Sequence, residues 1–161
     1  MNIVGPLKRS ALDSASRLWA HLPVALRNAI RRHVPRPRFR AGVLAVIHDG
    51  EGKVLLLRHR FRGALPWGLP GGWLEPGEEP RQGMCRELSE ELGLSVQPTE
   101  LRLLEATSRR GRPHIEFFYG LHAVVDKTVE CFEFDELGWF PTDALPEGML
   151  DEHREILERV S

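Results

Sequence analysis

Residues 72–94 read GWLEPGEEPRQGMCRELSEELGL, and the reading of the whole chain follows from them. Pro80 suits the first turn of a helix, where its missing N–H costs nothing. Gly93 suits the helix end, where a left-handed residue is wanted. Between them, Met84, Cys85, Leu88 and Leu92 fall at helical spacing and make one apolar stripe. Glu87, Glu90 and Glu91 stand three and four residues apart, so they share another face. Like charges at that spacing weaken an isolated helix by about 0.2–0.5 kcal/mol per pair. A crowd of carboxylate oxygens is also what a hard divalent cation binds, and Mg²⁺ held this way bridges to substrate phosphates.

Taken alone, Glu-x-x-Glu-Glu is a solvated acidic face. The surroundings change that reading. Pro70, Gly71 and Gly72 lead in, and Glu78, Arg86, Gly93 and Leu94 stand at fixed offsets. The string is Gly, five residues, Glu, seven residues, then Arg-Glu-apolar-any-Glu-Glu-any-Gly-apolar, with every specified position filled. In this the chain resembles the Nudix (MutT-like) hydrolases, from about Phe39 to the C-terminus. The resemblance implies an α/β Nudix fold, a mixed β-sheet sandwiched between helices (α/β/α), to which this chain adds an N-terminal helical extension. It implies Mg²⁺-dependent hydrolysis, with Mn²⁺ able to substitute. The bond cleaved would be the P–O–P bond of a nucleoside diphosphate linked to another moiety: a nucleotide sugar, a dinucleotide or a nucleoside triphosphate.

Site roles follow from the same resemblance. Glu87, Glu90 and Glu91 would hold the metal, one of them also serving as base, and the carbonyl of Gly72 would join the metal shell. Arg86 would orient the glutamates by ion pairing, with Glu78 supporting it. Such proteins often place a basic residue at the end of the second strand. Here Arg58 and Arg60 become candidate phosphate contacts, against the plain reading of Arg58, His59, Arg60 and Arg62 as a basic loop facing water. Relatives also supply a metal-binding glutamate about six residues before a strand tryptophan. Counting back from Trp139 gives Glu133, with Glu136 and Glu130 as rivals and a solvated acidic loop as the plain alternative. Two other functions stay open: an RNA 5′-end pyrophosphohydrolase, and a module that senses a nucleotide without cutting it.

The 161 residues, 42% apolar and 28% charged, suit one domain with a real core. The two cysteines, Cys85 and Cys131, form neither a disulfide framework nor a zinc pattern, which points to a reducing, cytoplasmic setting. No run approaches the ~18 apolar residues of a membrane span. Charge is uneven. Residues 1–40 carry +8, while the whole chain carries −1.

Residues 1–38 therefore read as a basic amphipathic arm, ahead of a domain at 39–161. Leu7, Ala11, Leu18 and Leu22 follow helical spacing over 7–22, and Pro23 opens a second helix with Leu26, Ile30 and Val34 on one side. The arm has three readings: packing on the domain or on a twin subunit in a homodimer, lying on an anionic membrane, or an organelle transit peptide. Its charge gives nucleic acid some affinity, but no RNA-binding motif accompanies it. The expected partner is a nucleotide-type small molecule.

Beyond the arm, residues 41–60 read as a β-hairpin around Asp49–Gly52, with strands so apolar that both faces are covered. Residues 96–107 and 113–125 read as strands around a turn at 108–112. Another strand spans about 132–140, and 149–160 closes the chain as a helix with Leu150, His153, Ile156, Leu157 and Val160 inward. Trp67, Leu69 and Trp73 around the glycine pair read as packing more than as a base-stacking platform.

Overall fold

A computed structural model describes residues 17–33, 39–108, 113–125 and 131–160, with the side chains of 31–33 left out. These residues fall into two compact units on either side of residue 37. In the first, residues 17–21 are helical (α1) and α2 spans Val24–His33. Pro23 starts α2 as the sequence suggests, its carbonyl accepting from the N–H groups of Leu26 and Arg27 at 3.0 Å. The start of the helix expected over 7–22 lies outside the described residues.

The second unit runs β1 (Arg40–His48), β2 (Val54–His59), β3 (Trp67–Gly68), β4 (Gly71–Trp73), α3 (Pro80–Leu92), β5 (Arg102–Thr107), β6 (His114–His122), β7 (Phe134–Phe140) and α4 (Asp151–Val160). β1 is the spine of a mixed seven-stranded sheet. It pairs in parallel with β6 along its whole length, from Arg40↔His114 to His48↔His122. Its other edge is shared: β4 takes Gly42–Leu44 and β2 takes His48, both antiparallel. β5 lies antiparallel to β6, and β7 and β3 lie antiparallel to β2.

Side-chain alternation divides the core into two layers. Val43, Ala45, Ile47, Leu55 and Leu57 pack with Met84, Leu88 and Leu92 of α3. Leu44, Val46, Val54 and Leu56 pack with Ile156 and Leu157 of α4. A helix on each face is why β1 and β2 read as almost unbroken apolar runs, and the expected sheet between helices is what forms. Burying Met84, Leu88 and Leu92 is worth roughly 1.5–3 kcal/mol each. That outweighs the repulsion among three glutamates on the neighbouring stripe.

Two expectations need correction. The hairpin of 41–60 is joined at a single register pair, His48↔Val54. Beyond it β2 turns to β7 and β1 to β4, because the edge of β1 is divided between two partners. The strand expected from residue 96 begins at Arg102. Residues Pro98–Glu100 instead make one 3₁₀ turn, in which the Gln97 N–H donates to the Glu100 side chain at 2.6 Å. Part of the 108–112 turn lies outside the described residues.

Both ends of α3 are fixed locally. The Glu79 carboxylate accepts from the N–H groups of Arg81 (3.0 Å) and Gln82 (3.2 Å), ahead of Pro80. At the C-terminus Gly93 adopts φ 64°, its N–H donates to Ser89 O, and the Leu94 N–H donates to Leu88 O. A Cβ at position 93 would meet nothing within 4 Å, so substitution there tests backbone conformation alone. Gly93→Ala is expected to cost about 1 kcal/mol, and Gly93→Asn less, in urea unfolding followed by circular dichroism. Equal stability of Gly93→Ala and wild type would show that this cap contributes nothing.

Candidate active site

Leu69, Pro70, Gly71 and Gly72 cross between the two helix layers, and each helix holds this segment by one buried acceptor. The Leu69 N–H donates to His153 Nδ1 of α4 at 2.9 Å. The Gly71 N–H donates to Glu91 Oε2 of α3 at 2.7 Å. The segment also lies tight against β1. Gly71 has φ 133°, and a Cβ there would run into the Val43 carbonyl. At Gly72 a Cβ would lie 2.6–2.7 Å from the Glu87 carboxylate. Two side-chain-free residues thus bring bare backbone against two glutamates.

Arg86 braces this group. Its Nε and Nη2 hold both oxygens of Glu78 at 2.9 and 3.0 Å, and Nη1 reaches Glu87 at 2.9 Å and Glu90 at 3.1 Å. Nη2 also donates to the Trp73 carbonyl at 3.1 Å. The Arg86 hydrogen bonds hold Glu78 below the usual carboxylate range. Burial pushes Glu87 up even though Arg86 opposes it, and the charges of Glu90 and Glu133 add to the rise. Burial pushes Glu91 up to about 8, against the pull of the Gly71 N–H, with Glu87 and Glu133 adding further. Glu90 stays out in solvent, its side chain 60% exposed against 12% for Glu87.

Sharing a helix face does not make these carboxylates converge. Among the described residues no three His, Cys, Asp or Glu side chains form a ready cage for an ion. Glu87 and Glu90 turn to Arg86, and Glu91 turns to Gly71. The group nevertheless fits a hard cation. Among the described residues Glu91 Oε1 is buried without a hydrogen-bond partner, the donors are all oxygens, and the ionisation of Glu87 and Glu91 is opposed by burial and by neighbouring carboxylates, Glu133 among them. A divalent cation relieves that conflict.

Gly71 and Gly72 also form part of the wall of a cavity of about 440 Å³. Leu44, His59, Trp73, His114 and Glu116 line it from the sheet, Glu152 and His153 from the first turn of α4 with Leu150 just before it, and Phe61, Arg62 and Glu133 from the loops. Glu133 is placed by its own carbonyl, which accepts from the Arg60 N–H at 2.9 Å and so extends the β2–β7 pairing. Its rival Glu136 pairs opposite Arg58 in β7 and does not line the cavity. Glu130 lies outside the described residues.

Neither Arg58 nor Arg60 lines this cavity, and the two share one acid. Arg60 Nε lies 2.7 Å from Asp135 Oδ1, and Arg58 Nη1 lies 3.7 Å from Oδ2. The basic residue that enters the cavity wall is Arg62, with His59 beside it. A register shift between Arg58 and His59 breaks the strand's alternation there, so counting by twos along Arg-His-Arg-Phe-Arg could not have found them. Trp67 packs edge-on against Phe140 at 5.0 Å, as the packing reading expects. Trp73 is half exposed on the cavity rim, with Arg40 over its ring at 5.6 Å.

A model of the NUDIX domain family matches residues 38–160, and the chain belongs to that family of MutT-like pyrophosphohydrolases. It is 31% identical over 138 residues to the NAD-capped RNA hydrolase NudC of Mycobacterium tuberculosis, a match covering 83% of this chain and 43% of that protein. It is 35% identical over 109 residues to the 8-oxo-dGDP phosphatase NUDT18 of Mus musculus, covering 65% and 33%. The chain therefore spans less than half the length of these relatives. A solved MutT NUDIX hydrolase from Burkholderia pseudomallei matches with a TM-score of 0.67 at 30% identity, covering 77% of this chain and 99% of that one.

His59 gives a pH test of the cavity wall. Burial first, then the Arg62 charge, hold it at about 4, while a hydrogen bond with the Leu69 backbone pulls the other way. The folded form therefore stays neutral while the unfolded chain takes up a proton near pH 6.5. Stability attributable to His59 is intact above pH 6.5 and is lost as pH falls toward 4, by up to about 3 kcal/mol. Urea unfolding of wild type and His59→Gln between pH 7 and 4 should show the stability difference shifting in favour of the variant as pH falls. A difference that is flat with pH would mean that His59 titrates as in the unfolded chain.

Proposed function

We propose that the chain is a Mg²⁺-dependent pyrophosphohydrolase that cleaves the P–O–P bond of a nucleoside diphosphate linked to another moiety, with Mn²⁺ able to substitute. The observation that carries this reading is the pair Glu87 and Glu91, buried against Gly71 and Gly72 with their ionisation opposed and one carboxylate oxygen unpartnered. Glu87, Glu90, Glu91, the Gly72 carbonyl and Glu133 would hold the ion, which when bound polarises phosphoryl oxygen and acidifies water. Arg86 keeps Glu87 and Glu90 aligned on one side of the cleft. One helix glutamate accepts the proton as water oxygen bonds to phosphorus and the bridging P–O bond breaks, leaving two phosphate products. Positioning and electrostatics supply most of the acceleration in such a transfer. The complete set of Glu87, Glu90 and Glu91 supports catalysis over nucleotide sensing.

A second reading, RNA 5′-end hydrolysis, draws support from the relative that acts on NAD-capped RNA and from the +8 charge of residues 1–40. RNA binding that falls steeply with salt would favour it. Residues 1–38 as a separate arm remain part of the proposal. Leu18, Val24, Leu26 and Ile30 are exposed there, and a second copy of the chain or an anionic membrane would cover them. Among the described residues no helix is long and apolar enough to cross a membrane.

Phosphate release from nucleotide sugars, dinucleotides and nucleoside triphosphates, with and without Mg²⁺ or Mn²⁺, is the direct test. A folded protein that cleaves none of them with either metal refutes the enzyme reading. In an active preparation, Glu90→Gln should lower kcat on the order of 10²-fold or more, and a change under threefold would remove Glu90 from the metal set. Glu133→Gln should lower kcat or raise the Mg²⁺ concentration needed for half-maximal rate, whereas Glu136→Gln should do neither. The reverse pattern would move the loop ligand to Glu136.

A further inference from the structure

We propose that His48 and His122 form a second cation site, at the end of the sheet away from the glutamates, that binds a divalent transition metal such as Zn²⁺, Ni²⁺ or Cu²⁺ through both imidazoles.

The sheet register brings the two residues together. His48 ends β1, His122 ends β6, and they stand directly opposite each other at the last step of the parallel pairing. Neighbouring strands lie only about 4.8 Å apart. Alternation places His48 on the same face of β1 as Leu44 and Val46, and His122 on the same face of β6 as Phe118, all three in the core layer beneath α4. The ring centroids are 5.9 Å apart, tilted by 40°.

That separation suits one shared ion. A metal about 2.0–2.1 Å from one nitrogen of each ring lies about 3.2 Å from each ring centre, so one ion spans centres up to about 6.4 Å apart. A tetrahedral angle at the metal needs about 5.2 Å. Small χ1 changes within one well supply that closure, and χ2, a soft torsion in histidine, aims the nitrogens. His48 is half-buried and His122 is exposed, so the pair is anchored on one side and open on the other.

The charges around the pair favour one ion over two protons. Burial, then the neighbouring His122, hold His48 below the ordinary imidazole range, while the charge of Asp49 pulls the other way. Asp49 Oδ1 accepts from the N–H groups of Glu51 and Lys53, each at 2.8 Å, so Asp49 is tied to its turn and contributes field. Among the described residues no third His, Cys, Asp or Glu completes a cage, and water fills the remaining positions. Two ring nitrogens without a carboxylate oxygen are a poor site for Mg²⁺ and a suitable one for Zn²⁺, Ni²⁺ or Cu²⁺. Four residues of β1, about 13 Å, separate His48 from Leu44 of the cavity wall. The chain thus offers oxygen donors at one end of β1 and nitrogen donors at the other.

The test titrates Ni²⁺ into the full, untagged chain in excess Mg²⁺, which occupies the glutamates, and follows binding by calorimetry and thermal shift. Wild type should bind one Ni²⁺ and rise in Tm, because the ion clamps β1 to β6 only in the folded chain. His48→Gln and His122→Gln should each bind at least tenfold more weakly and lose the Tm rise. His21→Gln, a histidine remote in sequence, should bind within threefold of wild type. A wild type that takes up no Ni²⁺, either ring variant within tenfold of wild type, or a loss of threefold or more in His21→Gln overturns the proposal. If the half-buried His48→Gln does not fold, Cu²⁺ electron paramagnetic resonance of wild type and His122→Gln decides. Coupling to two ring nitrogens that falls to one in the variant supports the shared site, and any other pattern overturns it. Hydrolysis does not enter these measurements, so their outcome is independent of the pyrophosphohydrolase reading.

Discussion

Two backbone N–H groups, those of Leu69 and Gly71, hold the site together. Both are buried, and a buried N–H without a partner costs free energy comparable to a lost hydrogen bond. Strand pairing does not satisfy them. His153 of α4 and Glu91 of α3 do, from opposite faces of the sheet. The Pro70–Gly72 segment is therefore fixed by both helix layers at once. Each acceptor sits where it does because its helix buries an apolar stripe: Met84, Leu88 and Leu92 on one side, Ile156 and Leu157 on the other. Hydrophobic packing sets the helices, the helices set the two acceptors, and the acceptors set the bare backbone of Gly71 and Gly72.

Glu91 performs this structural task at an electrostatic cost, since burial first, with the charges of Glu87 and Glu133 adding, pushes its carboxyl up to about 8. Arg86 offsets part of the strain in the cluster, but unevenly. It favours the charged form of Glu78 and reaches Glu87 and Glu90, and it makes no contact with Glu91. An isolated helix would gain from replacing these glutamates with alanine or lysine. Their retention on the stripe that faces Gly72 fits the pattern in which a functional site departs from what stability favours.

The readable parts of this sequence were those set by local geometry. Pro80, Gly93 and the 3.6-residue period fixed α3 almost to the residue, and the apolar runs of β1 and β2 announced a sheet covered on both faces. Pairing was less readable, because it depends on which strand competes for an edge. Asp49–Gly52 is a good turn, yet β4 occupies the half of the β1 edge that a simple hairpin would have used. At the site, spacing placed the glutamates on one face but said nothing of Arg86 drawing two of them away from the third. The basic run was opaque for another reason. The irregularity at Arg58 and His59 ends the alternation that would have told inward from outward side chains, so Arg62 could be seen in the sequence but not oriented.

Among the described residues Glu91 Oε1 and Arg62 Nη1 are each buried without a hydrogen-bond partner, and separately each is a defect of the kind that calls for explanation. They belong to one region, since each acts on the other through its charge. They do not neutralise each other by contact. A polyanion arriving alone would meet Arg62 but also the field of Glu87, Glu91 and Glu133. A divalent cation arriving alone would meet those carboxylates but also Arg62. A cation and a phosphate arriving together satisfy both unpartnered groups without setting like charges against each other. On the proposed reading, the two apparent defects are one feature, a site whose charges balance when metal and phosphate are both present, and each ligand then lowers the free-energy cost of binding the other.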